Sequence, residues 1–241
     1  MSPYGDDDYN DGASWETAYK SLQKAISIAK YSVIYVMNGT YTLDSNIKIA
    51  SGKSGIKIYG GFYKNNPTWE NRNPFAYMSV FDAKHNNYGV TNSQSMFSTP
   101  ENINVLIDGI CIANGEGENY SAFYSSTNFC VRNCLAINCK QISPYDDRGA
   151  GFHGTRKNVF YSCLALNCVS QTIGGGFRIN TYDIVEDCFA IECKAATFGG
   201  GFYISSKSVG SSMKNCCASG CFAGESGGGF YIDGAGETFN M

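Results

Sequence analysis

Charge is scarce in this sequence. Asp, Glu, Lys and Arg make up 16% of its 241 residues, where a globular domain ordinarily carries about a quarter. The net charge of −3 is spread along the chain with no basic stripe, which argues against nucleic acid as a partner. Proline is scarce too, with five residues against 28 glycines, so this is not a Pro-rich disordered tract. No apolar run reaches the ~20 residues of a membrane span. The chain opens on polar "MSPYGDDDYNDG" without a signal-peptide pattern, a start that suits a cytosolic protein and a mature or trimmed one equally. Histidine is limited to His85 and His153, and neither has a Ser or Cys partnership that the sequence supports. Cysteine is missing from the first 110 residues, yet eleven fall between Cys111 and Cys221.

That clustering follows a repeat. The phrase "GGGFRI" starts at Gly174 and "GGGFYI" at Gly199 and Gly227, with an eroded copy, "GAGFHG", from Gly149. Upstream of each stands a second motif: "NCLAINCK" from Asn133, "SCLALNCV" from Ser162, "DCFAIECK" from Asp187 and "NCCASGCF" from Asn215. Its leading cysteines, Cys134, Cys163, Cys188 and Cys216, are spaced 29, 25 and 28 apart, and Cys139, Cys168, Cys193 and Cys221 keep the same spacing. A period in this range is the signature of a solenoid. "GFYI" and "CFAI" are short, β-prone and bounded by Gly, Asn and Ser, with no room for a helix between them. Three strands of four or five residues with short turns account for about 25 residues at ~3.3 Å per residue. Parallel crossovers are overwhelmingly right-handed. The expected fold is therefore all-β, a right-handed parallel β-helix.

Alternation along the strand assigns the columns. Phe123, Phe152, Phe177, Phe202 and Phe230 should form an interior stack. Ile179, Ile204 and Ile232 should form another, with Gly154 as its gap. The triple glycine suits a bend where backbone nears the next coil or needs positive φ, and the residue after Phe should face solvent. Ahead of the coils, Trp15, Ala18, Leu22, Ala25, Ile26 and Ala29 recur at helical spacing, with Ser14 as N-cap. They predict a capping helix over about 15–30 that blunts the open sheet end. One domain, 1–241, is expected: a cap over 1–32, irregular first coils over 33–110, and regular Cys/Gly-rich coils over 111–241. After the last "GGGFYI" only "DGAGETFNM" follows, which predicts an uncapped coil open to self-association.

The segments "GDDDYNDGASWETAYKSLQKAI", "VIYVMNGTY", "IKIYGGF", "WENR" and "NVLIDGICIANG" follow in order an N-terminal pattern of secreted bacterial right-handed β-helix proteins, of the pectate-lyase-like superfamily. The later "NC…NC…GGGFY" coils resemble polymorphic outer-membrane-protein repeats. The resemblance covers nearly the whole chain. It implies an extracellular or cell-surface location, and it spans adhesins, polysaccharide lyases, glycosidases and proteins of no known activity.

Stacked cysteines lie at the ~4.8 Å coil spacing, which a disulfide tolerates. Side chains of one column point the same way, however, and cysteine buries readily; inward reduced thiols are favoured over disulfides. A zinc site would need paired C-x2-C knuckles, which are absent. Asp6, Asp8 and Asn10 alternate like calcium ligands, but Gly12 comes one place late and no distal Glu follows. A solvated turn is favoured there, calcium is the one candidate cofactor, and no metal residue is assigned. The column after Phe, made of Tyr124, His153, Arg178, Tyr203 and Tyr231, could stack on sugar rings and bind hydroxyls or carboxylates, or be an ordinary β-face. Asp183, Glu186, Asp187 and Glu192 share a coil near Lys194 and Arg178, but alternation scatters them. Asp146 and Asp147 sit beside Arg148 in a loop and read as surface contacts. No catalytic constellation stands out. The expected function is a non-enzymatic adhesive or structural β-helix segment, with that column as its candidate face for a polysaccharide or surface glycan. The alternative is a polysaccharide lyase or glycosidase acting on an acidic polysaccharide.

Overall fold

The computed structural model describes residues 1–29, 33–43, 47–49, 53–83, 104–125, 127–206 and 209–234, and the backbone alone of 97–99. His85, part of the expected cap (30–32) and the tail 235–241 lie outside the described residues. Strands pair in parallel into four sheets that wind as a right-handed β-helix. The first sheet stacks Val33–Met37, Ile56–Phe62, Val105–Asp108, Phe129–Arg132, Val159–Tyr161, Ile184–Glu186 and Ser212–Lys214. The second runs from Gly39–Thr42 through Leu164–Leu166 to Cys217–Ser219. A third has two-residue strands such as Val169–Ser170, and the fourth carries Phe123–Ser125, Phe152–Gly154, Phe177–Ile179, Phe202–Ile204 and Phe230–Ile232. Each regular coil thus has four strands rather than the three expected, because the bend after the second cysteine adds a short extra pairing.

The "NC" motif is a corner. Asn133, Asn138 and Asn167 have φ of 52°, 54° and 51°, the left-handed region that Asn tolerates better than most residues. Their amides also climb the coils: Asn138 Nδ2 donates to Asn114 Oδ1 (3.3 Å) and Asn167 Nδ2 to Asn138 Oδ1 (2.9 Å). The cysteine that follows turns inward, and its thiol donates to a carbonyl of the preceding coil, as Cys168 Sγ does to Ala136 O (3.3 Å) and Cys193 Sγ to Ala165 O (3.4 Å). All eleven cysteines are free thiols, and burial raises the pKa of Cys134, Cys163 and Cys188.

The phenylalanines stack as expected. Successive rings from Phe123 to Phe230 lie 4.7–4.9 Å apart and within 10° of parallel. Phe123 to Phe202 are fully buried, whereas Phe230, in the last described coil, is 42% exposed. Each buried ring contributes about 1.5–3 kcal/mol. The triple glycine serves two needs. Gly174 has φ +62°, and a Cβ on Gly176 would lie 2.6 Å from Gly201 O of the next coil. The gap at Gly154 is filled by polar groups, since a Cβ there would meet Asn158 Nδ2 and Asp183 Oδ2, each at 2.7 Å.

The cap differs from the expected helix. It is helical only over Leu22–Ile28, and its N-cap is Ser21, whose Oγ accepts from Lys24 N (3.2 Å). Residues 15–20 are diverted by the N-terminal turn. Ser2 N and Asp6 N bond to Tyr19 O and Ala18 O, and Asp7 Oδ1 accepts from Lys20 N and Ser21 N. Ser14 holds only a local turn with Thr17. The cap still covers an edge: Gln23 exchanges amide hydrogen bonds with the backbone of Lys48 (3.0 and 3.3 Å), standing in for the next strand.

Candidate ligand-binding cleft

Tyr124, His153, Arg178, Tyr203 and Tyr231 are in register on adjacent strands. They point away from the core, yet they are not a solvated ladder: His153 is 4% and Tyr203 7% exposed. The cover comes from departures in the period. The 29-residue coil exceeds the 25-residue one by four residues, which fall in the segment between Gln141 and Gly149. Gln141 is fully buried and pins that loop, its Nε2 donating to Glu118 O, Ser143 O and Asp146 O. Thr172 Oγ1 adds a bond to Asp146 O (2.6 Å).

The loop lays charge over the column. Arg148 donates to Asn119 O and sets its guanidinium 4.4 Å from the Tyr124 ring centre, a cation–π contact. Asp147 binds Arg178 through its backbone carbonyl and through Oδ2, 2.9 Å from Nη2. Asp146 Oδ2 lies 3.6 Å from Arg148 Nε. Asp147 is exposed and pairs with Arg178, as expected of a surface contact, and together with the half-buried Asp146 it also lines a cleft of about 410 Å³ that takes in Tyr124, His153, Arg178 and Asn180. Burial raises the Asp146 pKa, with the neighbouring Asp147 adding to it against the two arginines. Burial, with Arg178 and Arg148, lowers that of His153 well below its usual value, so the ring is neutral.

Asn180 links the cleft to a buried polar network. Its Nδ2 donates to Gly154 O (2.6 Å) and lies 3.3 Å from His153 Nε2. Asp183, inside the coil, accepts from Asn180 N, Asn158 N and Asn158 Nδ2. Among the described residues three buried side-chain polar atoms have no hydrogen-bond partner: Asp146 Oδ2, His153 Nδ1 and Arg178 Nε. All three belong to residues that line this cleft.

The other half of the column is packed. Tyr203 donates its hydroxyl to Asp233 Oδ2 (2.8 Å) and stacks on Tyr231 (5.7 Å), which stacks on Phe198 (4.5 Å). Elsewhere the acids serve local structure. Asp6 Oδ1 accepts from Asp8 N and Tyr9 N, and Asn10 Nδ2 donates to Ala18 O. Glu186 pairs with Lys214 (3.4 Å), while Asp187 and Glu192 occupy left-handed corners. No group of three or more His, Cys, Asp or Glu side chains converges on a metal position among the described residues. Asp108, buried between Arg72 and Arg132 at 2.6 Å each, was not visible in the sequence pattern. It ties the 63–78 loop to the first sheet.

No family model matches this chain, and no curated protein matches it. Among solved structures it is similar to the crystal structure of pectate lyase Pel9A, with 16% identity and a TM-score of 0.45, over 90% of this chain and 61% of that one. This chain thus spans less than two thirds of that structure's length. The β-helix assignment rests on the strand pairing itself. No helix among the described residues is long and apolar enough to cross a membrane.

Proposed function

We propose that this chain is a non-enzymatic, glycan-binding β-helix segment of an extracellular or cell-surface protein, with the cleft over Tyr124, His153 and Arg178 as its ligand site. One observation carries the reading: the three buried side-chain polar atoms without a hydrogen bond among the described residues all belong to residues that line that cleft. An unsatisfied buried polar group costs about 1–3 kcal/mol, and a hydroxyl-rich ligand relieves it. The rigid sheet beneath suits binding, since its side chains are held before the ligand arrives. The surface location follows the likeness of the Cys/Gly coils to surface β-helix repeats.

The test is a glycan-array screen of the wild-type chain beside Arg178→Ala and His153→Ala, with thermal melts on all three. Binding that is lost in both variants while they remain folded is the expected result. No binding to any glycan, or binding indifferent to both substitutions, would overturn the reading. A carbohydrate-active enzyme is the second reading, favoured by the raised pKa of Asp146, which suits a general acid. Oligosaccharide cleavage abolished by Asp146→Asn would favour it.

A further inference from the structure

The identity of the three atoms without a hydrogen bond narrows the ligand. Arg178 Nε can only donate, and Asp146 Oδ2, as the carboxylate ion-paired with Arg148, can only accept. His153 is settled by its neighbour. Asn180 Nδ2 is fixed as the amide nitrogen by its 2.6 Å bond to Gly154 O. It therefore presents a donor to His153 Nε2, 3.3 Å away. The neutral ring accepts there and carries its proton on Nδ1. The cleft offers two donors and one acceptor, and its formal charges are already paired, Arg178 with Asp147 and Arg148 with Asp146.

We infer that the cleft selects uncharged sugars over uronic acids. This rests on the glycan reading above. Adjacent hydroxyls of a neutral hexose can accept from Arg178 Nε–H and His153 Nδ1–H and donate to Asp146 Oδ2, because each hydroxyl does both. A hexuronate brings a carboxylate against Asp146, and neither arginine is free to neutralise it without giving up its aspartate. Discrimination of this kind is a like charge placed against the wrong ligand. It makes Asp146 a specificity-determining residue, and it runs opposite to the acidic polysaccharide considered from the sequence.

The experiment is calorimetric titration at pH 7 with neutral hexose tetrasaccharides and with the corresponding hexuronates, in wild type and Asp146→Asn. Wild type should bind a neutral sugar at least about tenfold more tightly than its uronate, as a like charge at close range implies. Asp146→Asn keeps a carbonyl acceptor and removes the charge, so it should bind the uronate more tightly than wild type does. Added salt should narrow the wild-type preference, since it screens the repulsion. If wild type prefers the uronate, or if Asp146→Asn leaves the preference unchanged in a variant with wild-type melting, the inference falls and the glycan reading stands. If no sugar of either class binds, both fall.

Discussion

The phenylalanine column and the column one residue further along the same strands share register, spacing and sheet, yet they behave as opposites. Phe123, Phe152, Phe177 and Phe202 repeat one residue in one environment, each ring parallel to the last. The adjoining positions read Tyr124, His153, Arg178 and Tyr203, and each meets a different partner. The interior is made by the repeat, so every coil imposes the same demand. The exterior is made by what interrupts the repeat, namely the loop before Gly149 and the Asp233 turn. The candidate site lies where the period is broken.

The largest expected effect breaks the interior column. Phe177→Asp places an unpaired charge between Phe152 and Phe202, at a cost of several kcal/mol. Circular dichroism should find the variant unfolded or melting far below wild type; an unchanged melting temperature would remove the column from the core.

A smaller effect lies in the network that joins the two columns. Burial raises the pKa of the Asp183 carboxyl from the usual 3.8 to about 6. The folded chain therefore binds this proton more tightly than the unfolded chain does. Its contribution is full below about pH 4 and is lost as pH rises through 6, about 3 kcal/mol in all. Asp183→Asn should abolish that component, so denaturant titrations from pH 4 to 7 should show the wild-type curve declining relative to the variant. Parallel curves would place the carboxyl's titration outside this window.

The smallest effect separates the packed half of the outer column from the cleft. Tyr203→Phe removes the hydroxyl bond to Asp233 and should lower stability by about 1–2 kcal/mol, leaving glycan binding as in wild type. A loss of binding without a change in melting would move the site onto Tyr203 and Tyr231.

The features with a fixed period were legible in the sequence: the solenoid, the stacked phenylalanines, the inward cysteines and the reason for glycine at Gly174 and Gly176. Features that depend on contact between distant segments were not. Ala18 and Leu22 keep helical spacing, but only the fold shows that the carbonyls of Ala18 and Tyr19 are taken by residues 2–6. Asp146 and Asp147 looked like loop charges because nothing in the linear order places them over Arg178. The signal that could have found them was the spacing of 29 against 25, which locates four extra residues beside the variable column.

The most direct test of the account is a crystal structure of the chain with a neutral tetrasaccharide. The account predicts sugar hydroxyls within hydrogen-bond reach of Asp146 Oδ2, His153 Nδ1 and Arg178 Nε, with the Arg178–Asp147 pair intact. A sugar bound elsewhere, with only ordered water on those three atoms, would contradict it.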